Sequence, residues 1–263
     1  MTSNGAQKPA KIKIKIEMFS WRSLSCTNTS YDSAGFVDLP GSVHPLLLSM
    51  IRPHETVLEV GCSSGYISER LKVEKQCNVV GVEVDERAAE IARERVGILV
   101  FVPKGEVPEL PMEYIGRFDS ILCADVVEHT CNPLQFIEHL KRYVAPTGRF
   151  IFSIPNIAHW TSRLNLLRGK WQYTPWGLLD YTHLRFFTLD SSCQLLQEAG
   201  LRVTRISYNC GPVEIYELLN KSDIHVLKRI AFRLIRYLSK RLPRLFALQF
   251  VIEAELYESC SRS

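Results

Sequence analysis

An apolar run that breaks at a glycine bend constrains this chain more than any other feature. Thr56 to Val60 is followed by Gly61, Cys62, Ser63, Ser64 and Gly65, and a helical pattern starts at once, near 65–73. Apart from Glu59 the run leaves no face for water, so it predicts a strand covered on both sides, as in a parallel sheet. A short helix (44–51) precedes it, and the rhythm repeats downstream. Strand 78–84 leads to helix 86–95, strand 98–102 to a proline-rich loop reaching 117, and strand 119–124 to helix 132–144, with strand 149–154 after that. Five short apolar strands alternating with helices predict an α/β fold with a Rossmann-like, doubly wound, mostly parallel sheet and right-handed crossovers.

The rhythm changes after Pro155. Residues 156–187 hold three tryptophans and two histidines among many polar groups and read as a cap insertion over the carboxyl edge of the sheet. Helix 189–199, capped by Gly200, and strand 201–208 restore the alternation. A basic helix at 222–241 stops near Pro243, and 247–257 reads as a last, antiparallel strand. Residues 1–40 form an N-terminal extension in which KIKIKIEM (11–18) has the period of a half-buried edge strand. The domain proper is 41–258, with a tail at 259–263.

Composition narrows the partners. A net charge of +4 over 263 residues gives no support to nucleic acid as a ligand. None of the eight cysteines forms a CxxC pair and several lie in apolar runs, which argues against a zinc site or a disulfide framework and fits a reducing, cytoplasmic setting. No metal ligand set is read from the spacing. The N-terminus has no signal-peptide core, and no run reaches the roughly 18 apolar residues of a membrane span. Between Lys221 and Arg244 eight basic residues meet one acid, Asp223, and Arg229, Arg233, Arg236 and Lys240 recur on one helical face. Such a helix can lie on an anionic membrane surface, so peripheral contact through 222–241 is an expectation.

The block Val57–Gly65 resembles the first motif of class I S-adenosylmethionine-dependent methyltransferases, with Glu59 for the commoner aspartate and Ser63 for the central glycine. Ser63 would resist a positive φ that glycine tolerates. A dinucleotide fold would need glycine where Tyr66 stands, and Glu59 would repel a pyrophosphate but suit ammonium and sulfonium charges. The resemblance assigns Glu59, Gly61, Cys62, Ser63 and Gly65 to the donor. Glu83, closing Gly81-Val82-Glu83 about 20 residues after the turn, is the acid for the ribose hydroxyls, with Val84 beside it. Asp85 reads instead as the cap of the next helix. Asp125, in a block ending Asp-Val-x-Glu-His, and Glu106, near the adenine, complete the donor set. Glu128 reads as a first-turn helix residue favoured by the helix dipole.

The blocks 153–160, 163–171 and 177–188 resemble a methyltransferase subfamily often joined to glycosyltransferases and assigned to surface-polysaccharide or lipid-linked sugar modification. The resemblance covers roughly 44–258 and implies S-adenosylmethionine as cofactor and a glycan or other small hydroxyl acceptor. The cap offers His159, His183 and Asp180 as bases, and His129 is a fourth candidate. Trp160, Trp171, Tyr173 and Trp176 supply flat walls. A quinone-precursor or aromatic O-methyltransferase and a non-catalytic donor-binding scaffold stand as alternatives. The oligomeric state is left open.

Overall fold

A computed structural model describes residues 42–105, 107–209, 233–234 and 237–257. The expected strand at 11–18, Glu106 and most of the basic helix lie outside these residues; 233–234 and 237–241 are helical.

The elements follow the predicted order: α1 (Val43–Met50), β1 (Thr56–Val60), α2 (Tyr66–Lys75), β2 (Asn78–Val82), α3 (Glu86–Val96), β3 (Leu99–Phe101) and β4 (Phe118–Ala124). After them come α4 (Pro133–Leu140), β5 (Val144–Pro155), α5 (Trp160–Leu167), α6 (Leu189–Glu198), β6 (Leu201–Asn209), α7 (Pro243–Phe246) and β7 (Gln249–Leu256). Seven strands form one sheet in the order β3-β2-β1-β4-β5-β7-β6. The pairs from β3 to β5 are parallel, and β7 is inserted antiparallel between β5 and β6. The Rossmann-like reading with a last antiparallel strand holds.

The strands are apolar on both faces because both faces are packed. Leu58, Val60, Val80 and Val82 join Phe136, Ile137 and Leu196 in one core layer, whereas Val57 and Val79 join Ile67, Leu71, Ala89 and Ala92 in the other. That split is the period of two expected of a strand between two helical layers. Asp85 caps α3 by accepting from the N–H groups of Arg87 and Ala88 at 2.9 and 3.0 Å. The helix expected over 132–144 stops at Leu140 instead. Val144 is drawn into the sheet opposite Phe118, and the Phe118 N–H donates to the Tyr143 carbonyl, so sheet pairing overrides helical propensity.

At the amino edge of the sheet Arg149 of β5 is 2% exposed and ties β5 to β7, to α1 and to the segment that enters β1. Its Nη1 lies 2.7 Å from Glu55 Oε1, its Nη2 donates to the Met50 carbonyl at 2.9 Å, and its Nε is 3.4 Å from Glu253 of β7. Ser120 of β4 donates to the same Glu55 carboxylate at 2.8 Å. Removing one member of a buried pair strands the other charge. Glu55→Ala is therefore expected to cost about 3–5 kcal/mol in urea denaturation, and a loss below 1 kcal/mol would count against this anchor.

Candidate active site

The chain leaves β1 for β2 on one side and later enters β4 on the other, so a crevice opens at the carboxyl ends of β1 and β4, where open α/β sheets bind ligands. A separate cleft of about 510 Å³, lined by Thr56, Lys72, Asn78, Leu99, Tyr114 and Arg117, lies at the amino ends of β1 and β2.

The bend after β1 is built by three positive φ angles: Gly61 at 73°, Ser63 at 48° and Gly65 at 80°. Ser63 therefore adopts the backbone geometry that its side chain disfavours. A Cβ on Gly61 would come within 2.7 Å of Val126, and one on Gly65 within 2.8 Å of Val96, so both glycines also admit close neighbours. The bend's N–H groups are turned inward. Gly61 and Cys62 donate to the Val82 carbonyl at 2.7 and 3.1 Å, Gly65 to the Cys62 carbonyl at 2.9 Å, and Ser63 to Glu83 Oε2 at 2.7 Å. A pyrophosphate needs such groups free. Four of them are spent, so a dinucleotide does not suit this turn.

Glu83 is 8% exposed and also accepts from the Asp85 N–H at 2.9 Å. A carboxylate has about four acceptor sites, so two remain for a vicinal diol such as a ribose. Val84 next to it is 69% exposed, an apolar wall at the crevice. Cys62 is 1% exposed and packs over Gly81, with burial raising its thiol pKa, so it acts as a spacer in the core. Glu59 is 1% exposed and accepts a hydrogen bond from the Ser68 hydroxyl of α2. Burial and the Glu83 charge push its pKa up to about 8. The expectation that a Glu59 carboxylate repels anions is corrected here, since with its pKa raised by burial the group is mostly uncharged at neutral pH. Glu106 lies outside the described residues.

Asp125, with φ at 54°, ends β4. Its Oδ1 accepts from Ser153 at 2.6 Å, and both its oxygens accept from Gln249 Nε2 at 2.9 and 3.0 Å. Asp125 therefore joins β4, β5 and β7 at the crevice floor. Among the base candidates, Asp180 is 3% exposed and accepts from the N–H and hydroxyl of Thr182 at 2.7 and 2.6 Å, which organises its loop. His159 is 1% exposed, bonds Thr161 Oγ1 through Nδ1 at 2.8 Å and meets the Phe246 backbone, and burial lowers its pKa to about 4. These partners make it a junction between α5 and α7, apart from the other histidines.

His129 and His183 do come together, with ring centroids 4.8 Å apart. His129 Nδ1 lies 3.1 Å from the Thr182 carbonyl and His183 Nδ1 lies 3.3 Å from that of Leu178. A carbonyl only accepts, so each Nδ1 carries a proton toward its carbonyl and Nε2 is the ring atom left for other partners. Burial, then the neighbouring His129, lowers the His183 pKa to about 4. Glu128, read from sequence as a helix-terminus residue, lies beside them. It is 1% exposed, its Oε1 is 4.0 Å from His183 Nε2, and among the described residues neither carboxyl oxygen meets a hydrogen-bond partner from another residue. Burial, then the Asp125 charge, holds its pKa well above the usual carboxylate range. Glu128, His129 and His183 offer three ligand atoms within 4.8 Å of one another, a set that could hold a metal ion. The sequence reading found no such set because it joins residues from β4's end and the cap.

A family model described as a methyltransferase domain matches residues 31–206. The chain belongs to the class I S-adenosylmethionine-dependent methyltransferase family. The matched family and the curated relatives make it an enzyme of that type. One curated relative, named ubiquinone biosynthesis O-methyltransferase, from Aromatoleum aromaticum, is 26% identical over 70% of this chain and 83% of its own length. Another of that name, from Dechloromonas aromatica, is 34% identical over 66% and 76% respectively. Among solved structures, phosphoethanolamine N-methyltransferase 2 of Haemonchus contortus in complex with S-adenosyl-L-methionine has a TM-score of 0.56 at 12% identity. The match covers 81% of this chain and 52% of that one, about half its length, and shows the shared fold. The crevice residues fit S-adenosylmethionine: Glu83 keeps two acceptor sites for a ribose, and the bend exposes no phosphate nest.

Two consequences are measurable. Glu83→Ala removes the acceptor of the Ser63 N–H along with the sites left for ribose, so calorimetry should show donor affinity falling by about tenfold or more. For Glu59 the folded-state pKa is raised, so folding is favoured below the unfolded value and loses stability as pH climbs toward about 8. Glu59→Gln, permanently neutral, should flatten that loss between about pH 5 and about pH 8 in thermal melts.

Proposed function

We propose that this methyltransferase acts on a hydroxyl oxygen of a small acceptor, with His129 and His183 as the groups that take up its proton. The observation behind this reading is the unpartnered Glu128 carboxyl beside two imidazoles whose open Nε2 atoms share one small space. S-adenosylmethionine supplies a methyl group on a sulfonium, an activated leaving group. A hydroxyl oxygen that forms the new O–CH₃ bond must release its proton, and a neutral imidazole Nε2 is suited to accept it. The low pKa of His183 keeps it in the neutral, accepting form down to about pH 4. Glu128, whose pKa burial raises, lies with its Oε1 4.0 Å from His183 Nε2 and would help to orient the acceptor hydroxyl. Positioning of this kind is worth up to ~7–11 kcal/mol of the barrier.

For the acceptor class, the relatives' names favour a phenolic hydroxyl of a quinone precursor. A saccharide or lipid-linked sugar is the second reading, favoured by Trp171, Tyr173 and Trp176, which stand exposed in the cap as flat walls. Incubation with methyl-labelled donor and parallel panels of catechols and glycans separates the two. Label in neither panel, despite tight donor binding, would favour a scaffold. Once an acceptor is found, His129→Asn and His183→Asn should each lower kcat by ~10²–10⁴-fold and leave donor affinity unchanged. Unaltered turnover in both variants would remove the proposed base.

A further inference from the structure

We infer that the cap docks the protein onto an anionic lipid bilayer through Leu166, Leu167, Trp171, Tyr173, Trp176 and Tyr181. Seven of the seventeen exposed large hydrophobic side chains among the described residues fall between 166 and 184, and Leu167 is 85% exposed. Scattered apolar side chains are ordinary on a surface, but this concentration in one short segment is not.

The segment is a single small lobe. Gly169 and Lys170 donate back to the carbonyls of Leu166 and Asn165, folding the loop against the end of α5. Thr174 donates to the Leu179 carbonyl at 2.8 Å and Tyr181 to that of Thr174 at 3.1 Å. Trp171 and Tyr173 rest against Phe186, with ring centroids 5.5 and 6.3 Å away.

Charge selects the occupant. Within 157–187 the basic residues are Arg163, Arg168, Lys170 and Arg185, all exposed. The lone acid, Asp180, is buried against Thr182. A segment whose exposed charges are all cations, interleaved with exposed apolar and aromatic side chains, matches the boundary between acyl chains and anionic headgroups, where Trp and Tyr concentrate and each Lys or Arg adds attraction. A second copy of the chain would bring the same cations and repel. Leucines as open as Leu167 gain nothing from a phosphate backbone but gain from hydrocarbon. Phe186, beneath the two rings, lies 6.3 Å from His183, so the docked face borders the histidine cluster; the inference does not depend on which acceptor that cluster serves.

Vesicle flotation tests this with the full chain, using phosphatidylcholine alone and phosphatidylcholine mixed with phosphatidylglycerol. The protein should float with the mixed vesicles, stay unbound with the neutral ones and detach at high salt. Arg168→Glu with Lys170→Glu should weaken binding by about tenfold or more. Leu167→Ser with Trp176→Ser should reduce the bound fraction on the same vesicles. Both variants change exposed side chains, and melting temperature and donor affinity should match the parent. Three outcomes overturn the inference: no flotation with anionic vesicles, flotation equal in parent and both variants, or a dimer in sedimentation that Leu167→Ser with Trp176→Ser dissolves.

Discussion

The donor crevice depends on one carbonyl. Val82, the last residue of β2, accepts from the N–H groups of both Gly61 and Cys62 and so fixes where the chain turns after β1. That bond sets the bend over the end of the neighbouring strand and brings Ser63 to Glu83, which accepts its N–H and remains at the crevice with acceptor capacity left over. The positive φ of Ser63 is tolerated because this bond and its neighbours over-determine the turn. A phosphate meets no open donor at Gly61, Cys62, Ser63 or Gly65.

The second half of the site depends on the joint between the sheet and the cap. The Glu128 carbonyl accepts from the N–H groups of Leu184 and Arg185 at 2.8 and 2.9 Å, which docks the cap's return strand onto the end of β4. The same joint brings His183 over Glu128 and lets the Thr182 carbonyl fix the His129 tautomer. A buried carboxyl without a partner normally costs stability. In this joint Glu128 Oε1 lies 4.0 Å from His183 Nε2.

Much of this was legible from periodicity. Strands apolar on both faces announced a parallel sheet between helices, Asp85 announced the start of α3, and the spacing from Gly61 to Glu83 announced an acid that meets the bend, where Glu83 accepts from the Ser63 N–H. Other residues were legible by type but not by role. Glu59 stood in the right motif, yet its contact with Ser68 and the depth that neutralises it come from α2 folding back over β1. His159 and Asp180 had the chemistry of bases but were consumed by the Phe246 backbone and Thr182, partners that spacing does not reveal. Glu128 does stand in the first turn of a short 3₁₀ helix, Val127–His129, as its sequence implied. Its place beside His183 was not legible because the two are far apart in the chain.

What the sequence determined alone is the local code: hydrophobic period, glycines where the backbone must turn the left-handed way, and an acid at the end of β2. Those signals depend on interactions within a few residues or on a strand's need for two covered faces, and the chain carries them wherever it is. What only the tertiary structure decided is which polar groups are spent and which remain open. That outcome depends on burial and on partners brought from distant segments, and the free energy of a carboxyl or imidazole is set by those surroundings rather than by its place in the chain.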